Sequence, residues 1–191
     1  MLIDDWRVAA LGIVLVAFAL SELCYPRRRP GAHRLHDRYS SEAIMAATIL
    51  NLAALPLLAG LRLGALPETG GWAPGIGLGL AVGGVALRFW AIATLGGRFT
   101  SAVVVGEAHP VIAHGPYRWL RHPGYAAVVA FGCGVALIVG NGLALALFLA
   151  TYGGAVIYRV RVEERAMREV LGDRYAEYAA RTRWRLVPWL Y

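Results

Sequence analysis

Gly115-Pro116-Tyr117-Arg118-Trp119-Leu120-Arg121-His122-Pro123-Gly124-Tyr125 is the stretch where guanidinium, imidazole, phenol, proline and glycine crowd together between two apolar segments. Pro116 and Pro123 each lack a backbone donor and push the residue before them out of the helical region. Residues 117–122 are therefore expected to be irregular, with at most a short helical turn. Pro123 suits the first turn of a helix that runs into the bilayer. That puts His122 and Tyr125 at the mouth of a membrane helix, where polar and apolar ligands can meet. Taken singly, Arg, His and Tyr at such a boundary read as interfacial anchors. The string gains its meaning from a second polar cluster further along.

Working outward, the 191 residues suffice for one domain, and 58% of them are apolar against 16% charged. A soluble domain is nearer a quarter charged, so the composition indicates an integral membrane protein. All 19 basic residues are arginine, which excludes a lysine nucleophile or Schiff base. The net charge of +7 lies in segments between apolar runs, where it orients a protein in the membrane rather than binding nucleic acid. Cys24 and Cys133 both fall in apolar segments and read as small buried hydrophobes. The first apolar run has no basic stretch before it and no small-residue cleavage pattern, so it is expected to be a retained helix.

The expected fold class is all-α, an integral membrane protein with about five transmembrane helices, a cytoplasmic C-terminal tail and no Rossmann domain. It forms one membrane domain over 1–191. Residues 1–95 supply three N-terminal spans, and 96–191 form a half holding a cytoplasmic connection, a membrane hairpin and the tail. The spans are placed at about 6–25, 41–66, 74–95, 123–140 and 143–158, the first of them matching the roughly 20 residues a bilayer requires. Ser41 is a candidate cap and Pro56 a kink site. In the third span Gly75-Ile76-Gly77-Leu78-Gly79 follows no strand and has no acidic partner downstream, so it is not a dinucleotide fingerprint. Gly75, Gly79 and Gly83 recur every four residues and are expected to form the close-packing face. Arg88 lies inside that span and is either functional or snorkelling. His109, His114 and His122 have no accompanying cysteine and do not share a helix face, so no metal site is expected. The arginine-rich segments 26–40, 96–121 and 159–185 fall on one side, placing the N-terminus outside and the C-terminus within the cytoplasm.

The second cluster is Arg159, Glu163 and Glu164, where the fifth span leaves the membrane. Arg159 and Glu163 are four apart and share a helix face. An isolated pair of this kind is a helix-surface ion pair and contributes only about 0.3–0.5 kcal/mol. Here the fourth and fifth spans form a hairpin through Asn141-Gly142, so His122, Tyr125, Arg159 and Glu163 are expected to converge. Such a site suits a zwitterionic cofactor and an anionic head group on a lipid-like tail. Its chemistry would rest on positioning and electrostatics.

The ordered motifs resemble the isoprenylcysteine carboxyl methyltransferase family, which is related to membrane phospholipid methyltransferases; this would be a short, prokaryotic-type member. The resemblance covers about 95–188. It rests on Gly-Pro-Tyr-Arg, Arg-His-Pro-x-Tyr, Asn141, Arg-x-x-x-Glu-Glu, Gly172-Asp173-Arg174-Tyr175, Tyr178 and Arg185-Leu186-Val187-Pro188. It implies S-adenosyl-L-methionine as methyl donor, bound by His109, Pro110, Val111, Ile112, Tyr117, His122, Pro123, Gly124, Tyr125 and Glu163. It implies Arg159 as the contact to the acceptor's carboxylate, making Arg159 and Glu163 the catalytic pair. Val105 stands where some relatives have a polar cofactor contact. The acceptor would be lipophilic: an isoprenylcysteine-like or other isoprenoid or alkyl acid, with an alkyl phenol, a pyrone or a lipid amine as alternatives. A non-catalytic membrane scaffold, a transporter subunit and a membrane reductase remain as readings of other classes.

Overall fold

The computed structural model describes residues 5–23, 39–67, 72–96 and 111–191. His109 and Pro110, the arginines of 26–38, Cys24, Arg98 and Val103 to Val105 lie outside the described residues. The rest is helical: α1 (Asp5–Leu23), α2 (Ser40–Gly60), α3 (Trp72–Leu95), α4 (Pro123–Val139), α5 (Gly142–Phe148), α6 (Gly154–Leu171) and α7 (Asp173–Arg181). Helices α5 and α6 are joined by a π-helical turn, Leu149–Gly153, into one 30-residue helix, Gly142–Leu171. Ser40–Gly60, Trp72–Leu95 and Gly142–Leu171 are long and apolar enough to cross a membrane, and Pro123–Val139 is a shorter apolar helix. The protein is an integral membrane protein built from helices.

The tightest packing joins α3 to α4. A Cβ on Gly77 would stand 2.7 Å from the Gly134 carbonyl oxygen, and one on Gly84 would stand 2.7 Å from that of Ala127. Gly134 in turn faces the Gly77 carbonyl, and Ala81 is fully buried between. Backbone meets backbone here, as small residues permit in a bilayer. The expected face of Gly75, Gly79 and Gly83 is not the packed one, since nothing lies within 4 Å of a Cβ at those positions. Glycines occur all round α3, and the row that matters is fixed by Gly134 on the partner helix. Phe18 of α1 stacks on Phe131 of α4 at 4.2 Å, closing this end of the core.

The turn between α4 and α5 is held by Asn141. Gly140 takes a left-handed φ of 74°, and the Asn141 side chain then caps α5 by accepting from the Ala144 N–H. Its amide donates to the Leu63 carbonyl at 2.9 Å, tying the hairpin to the end of α2. A further link crosses to the π turn, where Asn51 Nδ2 donates to Thr151 Oγ1 at 2.8 Å. Helix α2 runs through Pro56 without interruption. It begins at Ser40, after Tyr39 in a left-handed conformation, and has no side-chain cap. The capping role expected of Ser41 is thus replaced by a different bond, described below.

Gly77→Ala or Gly84→Ala is expected to force α3 and α4 apart at a cost of about 1–3 kcal/mol. Gly79→Ala should be neutral or slightly stabilising, because the helix gains a better former in open space. Thermal unfolding in detergent, all three variants beside wild type, checks the contrast.

Candidate active site

Pro116 and Pro123 shape the turn between them as the sequence implies. Gly115–Arg118 is a single 3-10 turn, and Pro123 opens α4 with His122 held outside the helical region just before it, at φ −128° and ψ 59°. The hairpin then brings the start of α4 beside the middle of α6. Tyr125 donates from its hydroxyl to Glu163 Oε1 at 2.6 Å. The Arg159 Nε–H is shared between the same oxygen at 2.9 Å and the Tyr125 hydroxyl at 3.1 Å. His122 Nδ1 stands 3.5 Å from Glu163 Oε2. The four side chains expected to converge therefore touch one another.

Arg159 is almost fully enclosed, at 2% exposure. Its Nη1 donates to the hydroxyls of Ser40 at 2.9 Å and Ser41 at 2.8 Å. The α2 serines thus receive a guanidinium instead of capping their own helix. The link between α2 and α6 could not be anticipated, because nothing local in sequence pairs Ser40 with Arg159. Arg88 is also buried and donates to the Gly124 carbonyl at 3.3 Å, so it fastens the first turn of α4 and does not snorkel.

Glu164 is the residue whose importance sequence reasoning missed. It is 2% exposed, and its Oε1 lies 3.0 Å from Arg121 Nε and 3.1 Å from Arg185 Nε. Arg168 reaches the other oxygen at 3.1 Å. His122 Nε2 is 3.5 Å from Oε1, an ion-pair contact without hydrogen-bond geometry. One imidazole is therefore set between two carboxylates of consecutive residues. The double glutamate was the available signal: adjacent residues point about 100° apart on a helix, so two separate partners were to be sought.

The other sequence-named positions occupy the same end of the bundle. Pro123 and Gly124 are buried in the first turn of α4. Tyr117 is buried, and its carbonyl accepts from the Tyr178 hydroxyl at 2.8 Å. Val111 packs against the cluster of Leu171, Tyr175 and Tyr178, which seats α7 on the end of α6. Ile112 is half-buried beside it in sequence. Gly172, at φ 52°, makes the break that turns α7 back. Burial pushes the Tyr178 phenol up to about 12, so it stays a hydroxyl donor. The Tyr175 hydroxyl is buried with no hydrogen-bond partner among the described residues.

A family model for isoprenylcysteine carboxyl methyltransferases matches residues 77–169, from α3 to the last turn of α6. Over that stretch, just under half of the chain, the sequence is similar to this family. A protein of Oryza sativa subsp. indica described as a probable protein-S-isoprenylcysteine O-methyltransferase is 31% identical over 106 residues, 54% of this chain and 56% of the relative. Protein-S-isoprenylcysteine O-methyltransferase A of Arabidopsis thaliana is 29% identical over 110 residues, 56% of each. The match thus spans about half the length of these curated relatives. The solved structure of a eukaryotic intramembrane Ras methyltransferase of the family aligns with a TM-score of 0.61 over 99% of this chain and 70% of that one. At 20% identity that likeness is one of fold.

Burial opposes a charge on His122, but the facing carboxylates of Glu163 and Glu164 outweigh it and raise the imidazole above its ordinary range. A raised folded value contributes stability that is complete below the unfolded value of about 6.5 and is lost as pH rises through the folded one. His122→Gln should therefore cost more stability at pH 6 than at pH 9. Thermal unfolding of both proteins across that range checks the sign; an equal cost at both ends would mean the imidazole is neutral throughout.

Proposed function

We propose that this protein transfers a methyl group from S-adenosyl-L-methionine to the carboxylate of a lipophilic acceptor at the membrane. The observation that carries the reading is the closed contact of His122, Tyr125, Arg159 and Glu163 within the stretch matched by the family. The acceptor class we assign is an isoprenoid or alkyl acid. On the arginine bias, the site is assigned to the cytoplasmic side of a prokaryotic plasma membrane, with the N-terminus outside.

The donor set fits the cofactor. Glu163 offers a carboxylate for a cationic group, and the Tyr175 hydroxyl and His122 Nε2 are buried polar atoms without hydrogen-bond partners among the described residues. Val111, Ile112, Tyr117, Pro123, Gly124 and Tyr125 would line the site, with His109 and Pro110 from the connection. When bound, the cofactor supplies an activated methyl on a sulfonium with a neutral thioether as leaving group. Tyr125 and Arg159 fix Glu163 by donating to one of its oxygens, which leaves its orientation set before any ligand arrives. Arg159 Nη1 donates to the neutral hydroxyls of Ser40 and Ser41. An acceptor carboxylate displacing them would gain the stronger, charge-assisted bond. A carboxylate is nucleophilic at neutral pH and asks for no general base. That suits a site whose own carboxylates are already committed to guanidinium, phenol and imidazole.

Calorimetric titration of the detergent-purified protein with S-adenosylhomocysteine should show saturable binding, weakened at least about tenfold in Glu163→Gln. Absence of binding to folded wild type would remove the methyltransferase reading. Incubation with labelled S-adenosyl-L-methionine and a panel of lipophilic acids, phenols and amines should give a base-labile methyl ester. A base-stable ether or methylamine would overturn the carboxylate assignment and leave the methyltransferase in place.

A further inference from the structure

The chain does not end its course at α7. After Thr182 it returns alongside the Arg121–His122 turn. The Arg121 N–H donates to the Trp184 carbonyl at 2.9 Å, and the His122 N–H donates to the Arg185 carbonyl at 3.0 Å. Leu120 and Trp184 form a parallel bridge. Leu186 is buried in the same core cluster as Tyr152, Val156 and Val160, against which Tyr125 and Tyr191 also pack. The Arg185 side chain reaches the Glu164 oxygen that Arg121 also meets. Without that buried carboxylate, Arg121, Arg185 and a charged His122 would face one another in poor solvent, and the tail would be repelled.

We propose that Glu164 and Arg185 are positioning residues that make the returning tail a working part of the cofactor site, holding His122 in place from its backbone and its ring at once. The inference rests on the methyltransferase reading for its functional consequence. Its structural content stands on the contacts themselves: Glu164 Oε1 bridges one arginine of the turn and one of the tail, and the docked tail satisfies the His122 N–H. Among the described residues, the charged and titratable groups facing the His122 ring or its partners are Glu163, Glu164, Arg159 and Arg168 of α6, Tyr125 of α4, Tyr175 and Tyr178 of α7, Arg121 of the turn and Arg185 of the tail.

The test uses full-length protein in detergent: wild type, Glu164→Gln, Arg185→Ala, Arg185→Lys and, as control, Arg181→Ala, whose partner Glu177 is an exposed one on α7. Two readouts are taken. One is S-adenosylhomocysteine affinity; the other is the His122 ring titration followed by NMR, assigned with His122→Gln. Arg185→Ala should weaken binding about tenfold, with Arg185→Lys restoring most of it and Arg181→Ala unchanged. Loss of one cation alone would raise the His122 titration further. Release of the tail instead frees the ring from its place between Glu163 and Glu164, and because their pull outweighs the opposing effect of burial, its titration returns toward the ordinary value; this fall is expected for Arg185→Ala. Unchanged affinity in Arg185→Ala, or a His122 titration that rises, overturns the proposal. Should Glu164→Gln fail to fold, Arg185→Ala, altered at a partly exposed position, decides the matter. Should wild type bind no S-adenosylhomocysteine, the methyltransferase reading falls, and the direction of the His122 shift still decides whether the tail positions the ring.

Discussion

A carboxylate shut away from water must be surrounded by positive partners, or its desolvation goes uncompensated. Glu164 is such a group, and its partners come from three places: Arg121 before α4, Arg168 one turn along α6, and Arg185 beyond α7. Satisfying one buried charge therefore draws the turn, the last long helix and the tail to a single point. Glu163, its neighbour, does the same for the other side, taking Tyr125 and Arg159 and, through Arg159, the start of α2. His122 lies between the two and is sensitive to both. The polar end of the molecule is thus one connected network, and its geometry is set before any ligand enters.

The apolar end obeys a different rule. Lipid offers helices no hydrophobic reward for associating, so contact depends on how closely backbones can approach. Gly77, Ala81 and Gly84 on α3 meet Gly134 and Ala127 on α4 with no room for another methyl group. This dry seam makes α4 a fixed reference. Arg88 extends the seam toward the polar end by donating to the Gly124 carbonyl. The first turn of α4, which carries Tyr125, is therefore anchored from the membrane side and from the network side.

What the sequence revealed was whatever short-range chemistry governs. Two prolines bracketed the turn before α4, and a four-residue spacing paired Arg159 with Glu163. Each of these is decided within a few residues. The Asn141-Gly142 hairpin extended that reach once, because two helices joined by a tight turn run side by side and bring their far ends together. Long-range pairing stayed hidden. The row of glycines used on α3 depends on a glycine in another helix. The hydroxyls of Ser40 and Ser41 suit a helix cap equally well until Arg159 is seen beside them. Glu164 looked like half of an acidic pair because its arginines are distant in the chain. The role of the tail was out of reach for the same reason, since its parallel pairing with Leu120 follows no local pattern.

The π-helical turn at Leu149–Gly153 bears on how such a site can change. It accommodates one residue more than an α-helix would over the same rise. Helix α6 is consequently rotated relative to α5 by about 100°, one residue's step. That offset sets the azimuth at which Arg159, Glu163 and Glu164 leave the rod. A single-codon deletion within this turn would convert it to regular α-helix and swing all three side chains together, with their mutual spacing intact. The turn therefore acts as an indexing joint. Through it, a lineage can re-aim its entire charged triplet in one step while the spacing within the triplet stays as it is.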